Sequence, residues 1–148
     1  MPTAAKLVAA AIFALVAFIA ADQYAPLIPD GRPAGPLREV TAIIGVICGW
    51  TIMGSFLRRS HSAVEAMGTG LRVSVTIAFV SLILFSIWDV LMRAIDGRYK
   101  HPMDSLLDVF GRALVLGTPI FTPGVLGVLA LGGLAGGALA HAASTRWK

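Results

Sequence analysis

Charge is scarce in this sequence of 148 residues. Asp, Glu, Lys and Arg make up 14% of it, where a soluble domain carries about 25%, so an ordinary water-exposed surface is excluded. Cysteine is scarcer still. Cys48 stands alone, which excludes an intramolecular disulfide and any C-x-x-C redox motif. It lies inside an apolar stretch, where a lone thiol reads as a small packing residue. The three histidines, His61, His101 and His141, are too dispersed to converge on a metal without help from the fold. No P-loop, dinucleotide fingerprint, nucleophile elbow or H-E-x-x-H is present. Nucleic-acid binding is not expected despite the net charge of +4. The basic residues gather at the ends of apolar runs, and no basic stripe is interleaved with stacking aromatics.

Long apolar runs take the place of what is missing. Hydrophobic residues are 57% of the chain, and four runs approach the roughly 20 residues that cross a bilayer core about 30 Å thick. The sequence therefore predicts an all-α integral membrane protein of one domain, residues 1–148. Its four transmembrane helices fall near 4–22, 38–57, 71–95 and 122–143. Lys6 and the apolar run after it resemble the start of a secretory signal, with Ile19-Ala20-Ala21 a passable cleavage site. A single basic residue is a poor n-region, and the run is read as a true first span.

Punctuation between the runs is clear. Thr3 can cap the first helix, and Pro26, Pro29, Pro33 and Pro36, with Gly31 and Gly35, break it from the second. Ser60-His61-Ser62 offers caps for a third helix that begins well before its span. After it, Met103, Leu106, Leu107, Phe110 and Leu114 recur on one helical face, with Asp104, Asp108 and Arg112 elsewhere on the wheel. With Pro102 at its first position, this reads as a short amphipathic helix near 102–116, at the membrane interface or packed on the bundle. Gly117-Thr118-Pro119 ends it, and Thr122-Pro123 opens the last span.

The positive-inside count is tied. Arg32, Arg38, Arg93, Arg98, Lys100 and Arg112 fall on one side, and Lys6, Arg58, Arg59, Arg72, Arg146 and Lys148 on the other. Arg58-Arg59 directly abutting a span favours both termini in the cytoplasm.

Small residues allow helices to approach closely in lipid. Gly45 and Gly49 form a G-x-x-x-G in the second span. Gly132, Gly133, Gly136 and Gly137 give two overlapping four-residue spacings in the fourth. Both helices are expected to carry close-contact faces, toward each other or toward a partner membrane protein, with contact within the monomer the plainer reading. Charge inside a span is costly and often functional. Asp89, beside Trp88, is the clear case, and Arg93 lies one turn on, where the two form a candidate intramembrane charge pair. An anchor at the span end is the plainest role for them. A proton or anion relay, a haem held by His61 and His141, or transport through an oligomer each find less in the sequence. Ser74 and Thr76 are expected to bond their own helix carbonyls. No metal site, cofactor or catalytic residue is assigned.

Several segments resemble the TrgA family of small bacterial inner-membrane proteins linked to tellurite resistance. They are the opening Met1-Pro2-Thr3-Ala4-Ala5-Lys6, Ile44-Gly45 through Gly49-Trp50, and Met53-Gly54. Arg98-Tyr99, Pro102 and Leu106-Leu107 follow. Thr122-Pro123, Val125-Leu126-Gly127, Gly132-Gly133 and Arg146-Trp147 complete the series in order. The chain departs from the family at Lys100 and near His141, where an acidic residue is usual. The resemblance implies an inner-membrane, non-enzymatic protein whose link to tellurite is indirect, because reduction would need thiols or a redox cofactor. An alternative is a small accessory or scaffold subunit, bound through its glycine-rich faces to a larger respiratory or photosynthetic complex.

Overall fold

The computed structural model describes residues 4–28, 35–56, 62–95, 97 and 102–146. Among them every regular element is helical. Helix α1 spans Ala4–Tyr24, followed by one 3-10 turn, Ala25–Leu27. Helix α2 covers Leu37–Phe56, α3 covers Ala63–Ile95, α4 covers Pro102–Gly117 and α5 covers Pro123–Arg146. A 3-10 turn, Thr118–Phe121, joins α4 to α5. Helices α1, α2, α3 and α5 are each long and apolar enough to cross a membrane. The expectations placed on Thr3, Pro29, Gly31, Arg32, Pro33, Arg58, Arg59, Ser60, His61, Arg98, Tyr99, Lys100, His101, Trp147 and Lys148 lie outside the described residues.

The ends of the helices follow local chemistry. Pro102 and Pro123 open α4 and α5, where a missing N–H costs nothing. Gly97, at φ +72°, donates its N–H to the Ala94 carbonyl at 3.1 Å, a left-handed cap that only glycine adopts freely. Tyr24 donates its hydroxyl to the Leu116 carbonyl at 2.7 Å, satisfying one of the orphan carbonyls at the end of α4. Arg38 pairs with Asp22 at 2.6 Å and ties α2 to the far end of α1.

Helix α2 is not a uniform α-helix. Gly49–Met53 form a π turn between Leu37–Cys48 and Gly54–Phe56. Its effect is on register. Gly49 and Gly54 are five apart, and at about 100° per residue an unbroken α-helix would turn them about 140° away from each other. The wider turn lets Gly45, Gly49 and Gly54 all meet α1.

The four long helices pack antiparallel in the order α2, α1, α5, α3. Phe13 is wholly buried at their centre, between Gly45 and Gly49 of α2 on one side and Gly136 of α5 on the other. Ala9, Ala17, Ile44, Cys48, Met53, Ala66, Val73, Ile77 and Ala140 complete the core. A second cluster, Ala20, Val125 and Leu129 with Ala78 and Tyr24 packed on it, closes the end that bears Asp22 and Arg38.

Helix α3 does not stop there. Its 33 residues begin well before the expected span at 71, and they continue past the bundle end. Leu82 lies against Gly117, and α4 folds back along the remaining residues of α3. The amphipathic helix is thus packed on α3 rather than standing alone. The face expected to seek an apolar surface points outward: Met103, Leu106, Leu107, Phe110 and Leu114 are all exposed.

Candidate functional site

Two features concentrate constraint in this molecule: the glycine crossings and one cluster of charge. Glycine permits a close crossing because its Cα has no substituent to keep two backbones apart. A methyl group on Gly45 would stand 2.5 Å from the Phe13 carbonyl oxygen, and one on Gly49 would stand 2.9 Å from that of Ala9. The α2 glycines therefore belong to the crossing with α1, not to one with the last helix.

The α5 glycines divide by face. Gly132 and Gly136 meet Val16, Ile12 and Phe13 of α1. Gly133 and Gly137 meet α3, where a methyl group on Gly137 would strike the Ala66 carbonyl oxygen and one on Gly133 would stand 2.9 Å from the Cα of Leu71. Gly70 of α3 completes that crossing against Gly133 and Gly137. The two overlapping four-residue spacings thus serve two different neighbours. These contacts lie within the monomer, one of the expected alternatives, but they run through α1 and α3 and not from the second span to the fourth. Consecutive positions on a helix are about 100° apart, so adjacent glycines open adjacent faces, and α1 lies between α2 and α5.

The charge cluster gathers where α4 folds back on α3. Asp89 Oδ2 lies 3.2 Å from Arg93 Nε, one turn along α3, and 3.3 Å from Arg112 Nε, which arrives from α4. All three side chains are about 15% exposed. Chemically the cluster can clamp two helices together while keeping its charges out of the surroundings. The i,i+4 spacing pointed to Asp89 and Arg93. It could not point to Arg112, which is distant in sequence and reaches Asp89 only through the fold of the hairpin.

Several hydroxyl groups bond locally. Thr76 donates to the Arg72 carbonyl at 2.9 Å, as do Thr41, Thr51, Thr69 and Ser86 to the carbonyls four residues before them. Ser74 departs from this expectation: its hydroxyl is buried against Gly133 with no hydrogen-bond partner, and Ser81, seven residues on, is also without one. His141 is half-buried near the end of α5. The paired-histidine haem considered with His61 depends on a residue outside the described region. Among the described residues no group of three His, Cys, Asp or Glu could hold a metal ion. Comparisons with models of known protein families, with curated proteins and with solved structures each find no match to this chain.

Proposed function

We propose that this chain is a non-enzymatic, multi-pass protein of the bacterial inner membrane. It would act as a membrane-embedded scaffold of the TrgA type, with an indirect part in tellurite resistance. The observation that carries the membrane reading is the outer surface of the helices. Leu7, Leu15, Ile43, Val75, Phe79, Leu131 and Leu139 are exposed around the bundle, a breadth of apolar surface beyond what a water-soluble monomer presents. Hydrocarbon is the solvent that makes such a surface favourable.

The residues that resemble the TrgA family support an architectural role. Gly45, Gly49 and Gly54 sit at the α1–α2 crossing, Gly132 and Gly133 at the crossings of α5, and Thr122-Pro123 at a helix start. They set how helices cross and where they break, which is what a scaffold requires. The accessory-subunit reading relied on glycine faces open to a larger complex. In this fold those faces are filled by α1 and α3, so a partner would have to use another surface.

Deletion of the gene in its bacterial host, with plasmid-borne complementation, tests the tellurite link. The proposal expects a lower tolerated tellurite concentration on deletion and recovery with the intact chain. Unchanged tolerance would contradict it. Constant co-purification with one large complex under gentle solubilisation would favour the subunit reading.

A further inference from the structure

The part of α3 beyond Leu82, together with α4, forms an arm that is inside-out by the standard of a water-soluble hairpin. The carboxylate and guanidinium groups of Asp89, Arg93 and Arg112 are enclosed between its two helices. Ile87, Trp88 and Leu91 of α3 and Leu106, Leu107 and Phe110 of α4 point outward and are about half to two-thirds exposed. In water the opposite arrangement is stable: charge outward, apolar groups between the helices. A protein partner would cover one side of such an arm, but here both helices present apolar side chains outward. The outward groups of α3 also continue, without a polar break, the exposed stripe that Val75, Phe79, Val80, Ile83 and Leu84 draw along its bundle part.

We propose that the covering is phospholipid hydrocarbon: the arm is immersed in the same bilayer as the bundle, and the Asp89–Arg93–Arg112 cluster is what allows it to carry charge there. This rests on the membrane reading above. The length of α3 is compatible with immersion. Helix α3, with 33 residues, is about 50 Å long, against a hydrocarbon core of about 30 Å. A tilt near 40°, the upper end of the observed range, shortens its projection to about 38 Å, which fits the 40–45 Å that includes the head-group regions. At that tilt Trp88 lies within the span of the bilayer and its interface.

Site-directed spin labelling tests this with the purified chain in phosphatidylcholine–phosphatidylglycerol vesicles. On a Cys48→Ala background, single-cysteine variants Leu107→Cys and Phe110→Cys probe the arm. Leu15→Cys probes the bundle surface, and Glu39→Cys probes the polar end. All four positions are exposed, so a label displaces no packing, and the two arm sites check each other. The expected result is several-fold greater relaxation by oxygen than by a water-soluble nickel chelate at Leu107, Phe110 and Leu15, with the order reversed at Glu39. Nickel-accessible arm sites beside an oxygen-accessible Leu15 would overturn the immersed arm and leave the membrane reading standing. Arm sites shielded from both reagents would also overturn it, in favour of a second copy of the chain on that surface. A nickel-accessible Leu15 would overturn the membrane reading and the arm with it.

Discussion

Gly127 and Gly137 share helix α5 and differ only in what a methyl group would meet. At Gly127 nothing lies within 4 Å, whereas at Gly137 the backbone of Ala66 and Met67 already fills the space. Backbone cannot swing aside as the tip of a side chain can. Gly137→Ala should therefore separate α5 from α3 and lower stability by about 1–3 kcal/mol, the usual scale of overpacking. Gly127→Ala should be neutral or gain about 0.5–1 kcal/mol, because an alanine backbone loses less conformational entropy on entering a helix than a glycine backbone does. Thermal unfolding of both variants in one detergent compares them directly. Equal midpoints would show that the close α3–α5 crossing does not exist.

At the scale of elements, two devices decide how helices meet. The π turn of α2 holds one residue more than an α turn, and Thr51 lies exposed within it. Deleting Thr51 should convert the turn to α-helix while keeping Gly45, Gly49 and Gly54 on the α1 side, since 49 and 54 would then be four apart. The variant should fold and unfold within about 1 kcal/mol of the parent, the scale of a modest local change. Collapse of expression, with a parallel loss for deletion of exposed Ile47 in the preceding α-helical part, would indicate that the π turn carries no slack. The second device is the clamp between α3 and α4. A double-mutant cycle on Asp89→Asn and Arg112→Met should give a coupling of about 1–3 kcal/mol, as expected for enclosed charges in contact. Additive effects would mean that the two do not hold the helices together.

At the scale of the whole molecule, the four long helices were legible in the sequence because a mainly apolar run of about 20 residues has few alternatives. Their punctuation was legible too, since Pro102, Pro123 and Gly97 act through local backbone rules. The glycines of α2 and α5 were recognisable as contact residues, but their partners were not. Spacing says which residues share a face, and only packing says which helix lies opposite. The same limit hid the clamp, whose Arg112 meets Asp89 because α4 folds back at one particular level of α3. It also hid the sense of α4: the periodicity of Met103 to Leu114 defines an apolar face without saying whether that face looks inward or out. The π turn left no signal beyond the five-residue separation of Gly49 and Gly54. What unites these features is a surface that is apolar where soluble proteins are polar, and a charge cluster enclosed where they would expose it.

Alkaline carbonate treatment of membranes from cells expressing the full chain tests that claim most directly. The protein is expected to stay entirely with the sedimented bilayer and to be released only by detergent. Release into the aqueous supernatant as a folded monomer would contradict it.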